Sequence, residues 1–206
     1  MKDFSVIMSL VDYIPVALFA AAAILLQRSL YYRMSKGAFA LFAAGTIYVI
    51  SAGLLKATYK LLYALNICDF QRLSDMMFPG QAIGFLLAGI GMVAMLTHRQ
   101  KETLLAVAPP VFTGTIIFIT FMVLGLGMMD AGLCVLAKRL KKPLLIVFFA
   151  VSFVCSLGMG YLSTRDFSGA AMNWIAEGVN IVGEGMLLLG VVLLRKNGLV
   201  EKPEEN

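Results

Sequence analysis

Long apolar runs alternate with short polar stretches along the chain, and this pattern predicts membrane-spanning helices. An α-helix needs about 20 mostly apolar residues to cross a bilayer. The sequence therefore predicts an all-α fold, a polytopic membrane helix bundle with seven transmembrane helices. The predicted segments are Asp12–Gln27, Gly37–Tyr63, Met76–Leu96, Thr103 to about Ile119, about Phe121–Ala137, Leu144–Tyr161 and Ala170–Leu194.

The fourth and fifth segments allow two interpretations, because the stretch between Glu102 and Lys138 is short for two helices. One long helix kinked near Pro109-Pro110 would also fit. Lysine and arginine, which are enriched in cytoplasmic loops, favour two helices. With seven passes and the N-terminus outside, the outer side holds only Lys2, Arg72 and Arg165. The cytoplasmic side then receives Arg28, Arg33, Lys36, Arg99, Lys101, Lys138, Arg139, Lys141, Lys142, Arg195, Lys196 and Lys202.

Composition supports the same class of protein. Of 206 residues, 60% are hydrophobic and 14% charged, whereas about a quarter of a soluble domain is charged. We expect a single membrane domain over residues 1–200, with a disordered cytosolic tail at 201–206, in a multi-pass protein of the cell membrane. The net charge of +5 belongs mostly to the cytoplasmic rim, so the lipid bilayer is an expected partner and nucleic acid is not.

A faint repeat relates the two halves of the sequence. When Met77–Met92 is aligned with Asn173–Leu188, Gln81 falls on Glu177 and Gly89 on Gly185. We therefore expect two parallel three-helix repeats, at 8–99 and 118–196, joined by a linker helix at about 102–117. This plan resembles that of the SWEET-type sugar facilitators and the KDEL receptors in helix count and repeat order. Parallel repeats of this kind place a transport site at their interface.

A polar stripe runs along the last predicted helix. Asn173, Glu177, Asn180 and Glu184 are spaced by four, three and four residues, which places them within about 60° of one helix face. A charge at the centre of a bilayer costs at least a few kcal/mol. These carboxyl groups therefore need a partner, a proton or water. A structural ion pair would explain one of them, but a stripe of four favours a polar cavity.

Other helices contribute candidate site residues at similar depths. Lys56 and Gln81 are predicted to share a layer with Glu177, and Lys56 either extends to the interface or pairs with Glu177 or Glu184. Lys60 is predicted to extend to the interface beside Tyr59. Asp130 caps a helix if the chain turns near Gly125 and is buried if it turns near Thr120. The candidate solute-binding residues are Lys56, Tyr59, Gln81, Asp130, Asn173, Glu177, Asn180 and Glu184.

No cofactor or metal is expected, because Cys68, Cys134, Cys155 and His98 do not have ligand spacing. The leading hypothesis is a small membrane transporter that binds a polar, cationic or zwitterionic solute in a central cavity, with proton coupling as one option. The alternative is a seven-helix receptor or sensory module that signals through a cytosolic partner. An intramembrane lipid hydrolase with Glu177 and Glu184 as acid and base ranks third, since no catalytic set supports it. Homo-oligomerisation is left open.

Overall fold

The computed structural model describes residues 5–97, 115–162 and 170–199 of the chain, and these residues are almost entirely helical. Ser5 caps the first helix, since its hydroxyl accepts a hydrogen bond from the Met8 amide at 3.2 Å. A short π-helical turn, Arg195–Leu199, follows the last helix. The helices are α1 (Val6–Val11), α2 (Tyr13–Leu30), α3 (Lys36–Ala64), α4 (Arg72–Asp75), α5 (Met77–Thr97), α6 (Thr115–Arg139), α7 (Leu145–Leu162) and α8 (Ala170–Leu194).

Six stretches of the described residues are long and apolar enough to cross a membrane, in place of the predicted seven. They comprise α1 with α2, α3, α4 with α5, and then α6, α7 and α8 singly. Every one of them exposes large apolar side chains, as a lipid-facing surface requires. Examples, one from each, are Ile24, Ile47, Ile90, Leu124, Val154 and Leu189. The protein is thus a multi-pass helical membrane bundle.

Two predicted boundaries are wrong. The first span begins at Val6 rather than Asp12, since α1 and α2 form one nearly continuous rod around Asp12. The break predicted between Ile119 and Phe121 is absent, because α6 passes through both residues without interruption. The greater part of the predicted fourth span and linker helix, residues 98–114, lies outside the described residues, as does the predicted tail at 201–206.

The spanning helices form a ring in chain order. Each packs on the next, from α2 through α3, α5, α6 and α7 to α8, and α8 closes the ring against α2. The closest contacts involve α5, on which small residues form a packing surface. A Cβ atom on Gly84 would lie 2.8 Å from the Gly45 carbonyl oxygen, and one on Gly91 would lie 2.7 Å from that of Ala38. Glycine here allows two backbones to touch.

Helices α5 and α6 run in the same direction although they are neighbours in the described chain. Gly125 lies against the backbone of Phe85, and Gly132 against the side chain of Met92, so both helices advance together. Helices α2 and α8 are parallel too. Lys60 joins Asp12 to Glu177 near their N-terminal ends, and Arg33 donates to the Gly198 carbonyl at 3.2 Å after their C-terminal ends.

These directions give the bundle two distinct ends. Helices α2, α5, α6 and α8 run one way, and α3 and α7 run back. The end where α1 and α5 begin, which we call the N-terminal end, carries Asp69, Arg72 and Asp75 between α3 and α5. The other, which we call the basic end, has no acidic residue among those described. Its charged residues are Arg28, Arg33, Lys36, Lys138, Arg139, Lys141, Lys142, Arg195 and Lys196.

Candidate functional site

A cavity of about 640 Å³ lies inside the ring and is lined by residues from all six spanning helices. Its volume falls within the roughly 300–1,000 Å³ of small-molecule sites in proteins. The cavity extends from Ser74 and Met77 at the N-terminal end to Leu126 and Glu184, near the middle of their helices. Its polar and charged lining residues are Asp12, Lys56, Tyr59, Lys60, Ser74, Gln81, Ser156, Asn173, Glu177, Asn180 and Glu184.

An ionic cluster joins three helices at one wall of the cavity. Lys60 Nζ lies 2.6 Å from Asp12 Oδ2 and 3.3 Å from Glu177 Oε1, and the Lys60 residue is 5% exposed. The Asp12 and Glu177 carboxyl groups also lie within electrostatic range of each other. Each of these groups loses hydration on burial, and the mutual attraction offsets that cost only while all three are present.

Local hydrogen bonds hold the first rod in register with α3, and so place Asp12 beside Lys60. Ser9 Oγ lies 3.1 Å from the Lys60 carbonyl oxygen, to which it donates. One turn further, the Tyr13 hydroxyl lies 3.0 Å from Thr58 Oγ1. The cluster therefore sits on two aligned helices rather than on a loop, which fixes its geometry.

Lys60, and not Lys56, forms the ion pair with Glu177. Lys60 does not extend to the interface; it is buried and forms both ion pairs. Lys56 lines the cavity one turn deeper and makes no ion pair with any described residue. It does lie within electrostatic range of Lys60, Glu177 and Asp12. The cavity wall thus combines two acids with two bases.

Tyr59 anchors the connection between α3 and α5 to the rim of the cavity. Its hydroxyl lies 2.8 Å from Gln71 Oε1 and 3.1 Å from Asp69 Oδ1, and the residue is 2% exposed. Because a phenol donates one proton, the two acceptors share it. The hydroxyl is thereby engaged by the protein itself, although Tyr59 still lines the cavity.

All four residues of the predicted stripe on α8 line the cavity, and Gln81 of α5 lines it as well. Asn173 and Glu177 are each 4% exposed. Asn180 and Glu184 lie deeper along the same face. Amide and carboxyl groups from two helices thus share one enclosed space, as the sequence predicted for their placement.

Asp130 is the one candidate residue outside this lining. It lies on α6 one turn beyond Leu126, and α6 is continuous through it, so the buried alternative is confirmed. The residue is 4% exposed, and neither carboxyl oxygen has a hydrogen-bond partner among the described residues. Glu184 Oε2 is likewise buried without a partner in the part described, and the two groups lie within electrostatic range of each other.

Sequence reasoning missed Asp12 and underrated Lys60. Asp12 stands between two apolar stretches, Val6–Val11 and Tyr13–Leu26, and taking it as the start of a span hid its position inside one. The signal that could have revealed it is the hydropathy of the whole Val6–Leu30 stretch. The burial of Lys60 could have been inferred from Asp12, an acid at the same depth on another helix.

Neither the family models nor the curated proteins nor the solved structures searched contain a match to this chain. The cavity and its lining therefore carry the functional argument alone.

Proposed function

We propose that this protein is a small membrane transporter for a polar, zwitterionic solute that binds in the central cavity. The observation that carries the proposal is the cavity itself, which combines three acids, two bases and three amides inside an apolar bundle. Polar groups are costly at membrane depth and mark solute pathways when they face a shared interior. A hydrolase has less support, because the polar residues described in the cavity lining do not form a catalytic set, and a receptor would not require buried charges from several helices in one cavity.

The charges suggest how a zwitterion would be held. A solute ammonium group would bind Glu177, whose Oε1 atom lies 3.3 Å from Lys60 Nζ. A solute carboxylate would bind Lys56, which has no ion pair among the described residues. Gln81 and Asn180, on opposite helices of the ring, offer both donors and acceptors for orientation.

The ionic cluster also spans the two halves of the bundle. Asp12 and Lys60 belong to the first three spanning helices, whereas Glu177 belongs to α8 in the last three. A solute ammonium that binds Glu177 competes with the Lys60–Glu177 ion pair but leaves Lys60–Asp12 intact. Solute binding would thus loosen one half from the other, which is the change that alternating access requires.

We further propose seven crossings, with the N-terminal end outside and the basic end cytoplasmic. The proposal is supported by the directions of the described helices, since α5 ends at the basic end and α6 begins at the N-terminal end, as an odd number of crossings requires. The concentration of lysine and arginine at one end gives the orientation. The exposed Cys68, between α3 and α5, would then face outside.

A membrane-impermeant maleimide tests this topology. We expect it to label Cys68 in intact cells. In a Cys68→Ser background, cysteine at Leu144, which is 75% exposed at the basic end, should react only after permeabilisation. The opposite result at both positions would reverse the orientation, and labelling of both from outside would refute seven crossings.

Ligand-dependent thermal stabilisation of the detergent-purified protein, followed by uptake in liposomes, tests the function. A zwitterionic amino acid or amine should raise the unfolding temperature of the wild type, since a ligand that binds the folded state stabilises it. Glu177→Gln should lose this shift. Asp75→Asn, which removes an acid from the N-terminal end outside the cavity lining, is the matched control and should retain it. If no solute of this class shifts the wild type or enters liposomes, the proposal is wrong.

A further inference from the structure

Two carboxyl groups at the inner end of the cavity lack the counter-charges that the outer cluster has. Asp130 is 4% exposed with both oxygens unpartnered in the described structure, and Glu184 has one such oxygen. They lie one turn beyond Leu126 on α6 and one turn beyond Asn180 on α8, respectively. Leu126 and Asn180 both line the cavity, so the two acids lie at its inner end.

Beyond these two acids the described bundle is mostly apolar as far as the basic end, and its polar groups there are uncharged, such as Gln27 and Thr46, whose side chains hydrogen-bond at 2.8 Å. Toward that end, the space between the helices is filled by buried side chains, none of which lines the cavity. They include Leu30, Met92, Leu133, Phe149, Leu187, Val191 and Leu194. Asp130 and Glu184 therefore mark the boundary between a polar compartment and a closed apolar one.

Among the residues that the structure describes, no cation acts electrostatically on either member of this pair. Helix α5 has no ionisable residue, and α7 has Cys155 and Tyr161 alone. On α6, Cys134 lies one turn from Asp130. Lys56 is within range of Glu177 and Asp12, but among the described residues only Asp130 acts electrostatically on Glu184. Two ionised carboxylates this close in apolar surroundings would repel each other without compensation.

We propose that Asp130 and Glu184 form a proton-binding site, separate from the outer Asp12–Lys60–Glu177 cluster, which couples proton movement to transport. The coupling rests on the proposed function; the proton site does not. To bind a proton, a site needs one carboxyl group that holds it and one acceptor for it, and the two acids supply both. A sodium or calcium ion would need several more oxygen ligands than two carboxyl groups offer. The position at the end of the cavity would let the proton exchange with either side as the bundle opens in turn.

Reaction of the full-length protein with dicyclohexylcarbodiimide tests the site directly. This apolar reagent adds to a protonated carboxyl group. The acid proton goes to one nitrogen and the carboxyl oxygen to the central carbon, and the acyl group then migrates to nitrogen, with nothing lost. We expect peptide mass mapping to find the adduct on Asp130 or Glu184, and the yield to fall as the pH rises. Glu177, within its ionic cluster, should remain unmodified.

The outcomes separate two proposals. Absence of the adduct at both residues, an adduct confined to Glu177, or protection by sodium at constant pH would each overturn the proton site. Because the wild type itself is labelled, the test does not depend on a variant that folds. Labelling of Asp130 or Glu184 without uptake of any solute would instead uphold the proton site and refute transport.

A second readout tests coupling. In liposomes, Asp130→Asn should lower the ratio of proton-gradient-driven accumulation to solute exchange at equal pH, since the amide cannot carry the proton. Glu184→Asp, which keeps an acid, should preserve the pH dependence of carbodiimide labelling. An unchanged ratio in Asp130→Asn would overturn coupling through this pair.

Discussion

The same six helices enclose a cavity with buried charged groups toward the N-terminal end and a closely packed, mostly apolar core toward the basic end. In the first half, Lys60 bridges acids from two other helices, and three amides share the rest of the wall with apolar side chains. In the second half, residues such as Leu133 and Val191 are completely buried. The helices are long and apolar in both halves, so the difference comes from a few inward-facing residues and not from the fold.

The contrast shows how a bundle of this size can contain a cavity and still be closed at one end. In water-free surroundings a polar wall must satisfy itself, and the ionic cluster does this while leaving Lys56, Gln81 and Asn180 facing open space. The apolar half closes the bundle without any special chemistry. The proposed transport cycle would use this difference, since alternating access needs a cavity closed on one side at each stage.

The largest expected effect is on stability when the cluster loses its central cation. Lys60→Met leaves two buried carboxyl groups facing each other, and breaking a buried pair in this way costs about 3–5 kcal/mol. Denaturant unfolding in detergent micelles should show a loss of this size. Lys36→Met, at an exposed position of the basic end, should change the unfolding free energy little.

A triple replacement sharpens the same comparison. Adding Asp12→Asn and Glu177→Gln to Lys60→Met removes the uncompensated charges, so most of the lost stability should return. If the triple variant is as unstable as Lys60→Met alone, the loss arose from packing and not from charge. That result would contradict the role given to the cluster.

A smaller effect is expected where α5 and α6 touch. A Cβ atom on Gly125 would collide with the backbone of Phe85 and Leu86, which cannot rotate away as a side chain can. We expect Gly125→Ala to cost about 1–3 kcal/mol of unfolding free energy, the usual range for overpacking. Gly178→Ala is the matched control, because a Cβ atom there meets nothing within 4 Å. Equal stability of the two variants would refute the close parallel packing.

The sequence predicted the class of fold and most of the polar residues that line the cavity, because both follow from patterns within single helices. The α8 stripe is one example, since a helix with a polar face must turn that face inward. The pairing of Lys60 with Asp12 and Glu177 was not predictable in this way. It depends on which helices are neighbours and in which direction they run, and neither is encoded in local periodicity.

The faint repeat illustrates the same limit. Gln81 and Glu177, which correspond in the alignment, both line the cavity. Gly89 and Gly185 correspond equally well in sequence, yet a Cβ atom on Gly89 would meet the backbone of Gly125, whereas one on Gly185 would meet nothing. Corresponding helices of the two halves run in the same direction but have different neighbours. Residues that correspond in the alignment therefore need not have the same packing role.

The smallest predicted effect concerns the connection that Tyr59 anchors at the rim of the polar half. Tyr59→Phe removes the hydroxyl that Asp69 and Gln71 share but keeps the ring beside Tyr63, with centroids 6.1 Å apart. We expect a loss of about 0.5–1.5 kcal/mol in unfolding free energy, and faster hydrogen exchange confined to the Asp69–Asp75 connection. Tyr48→Phe, on the exposed face of the same helix, should change neither quantity. If hydrogen exchange accelerates instead in the apolar half, the two halves are coupled through α3 and do not behave as separate regions.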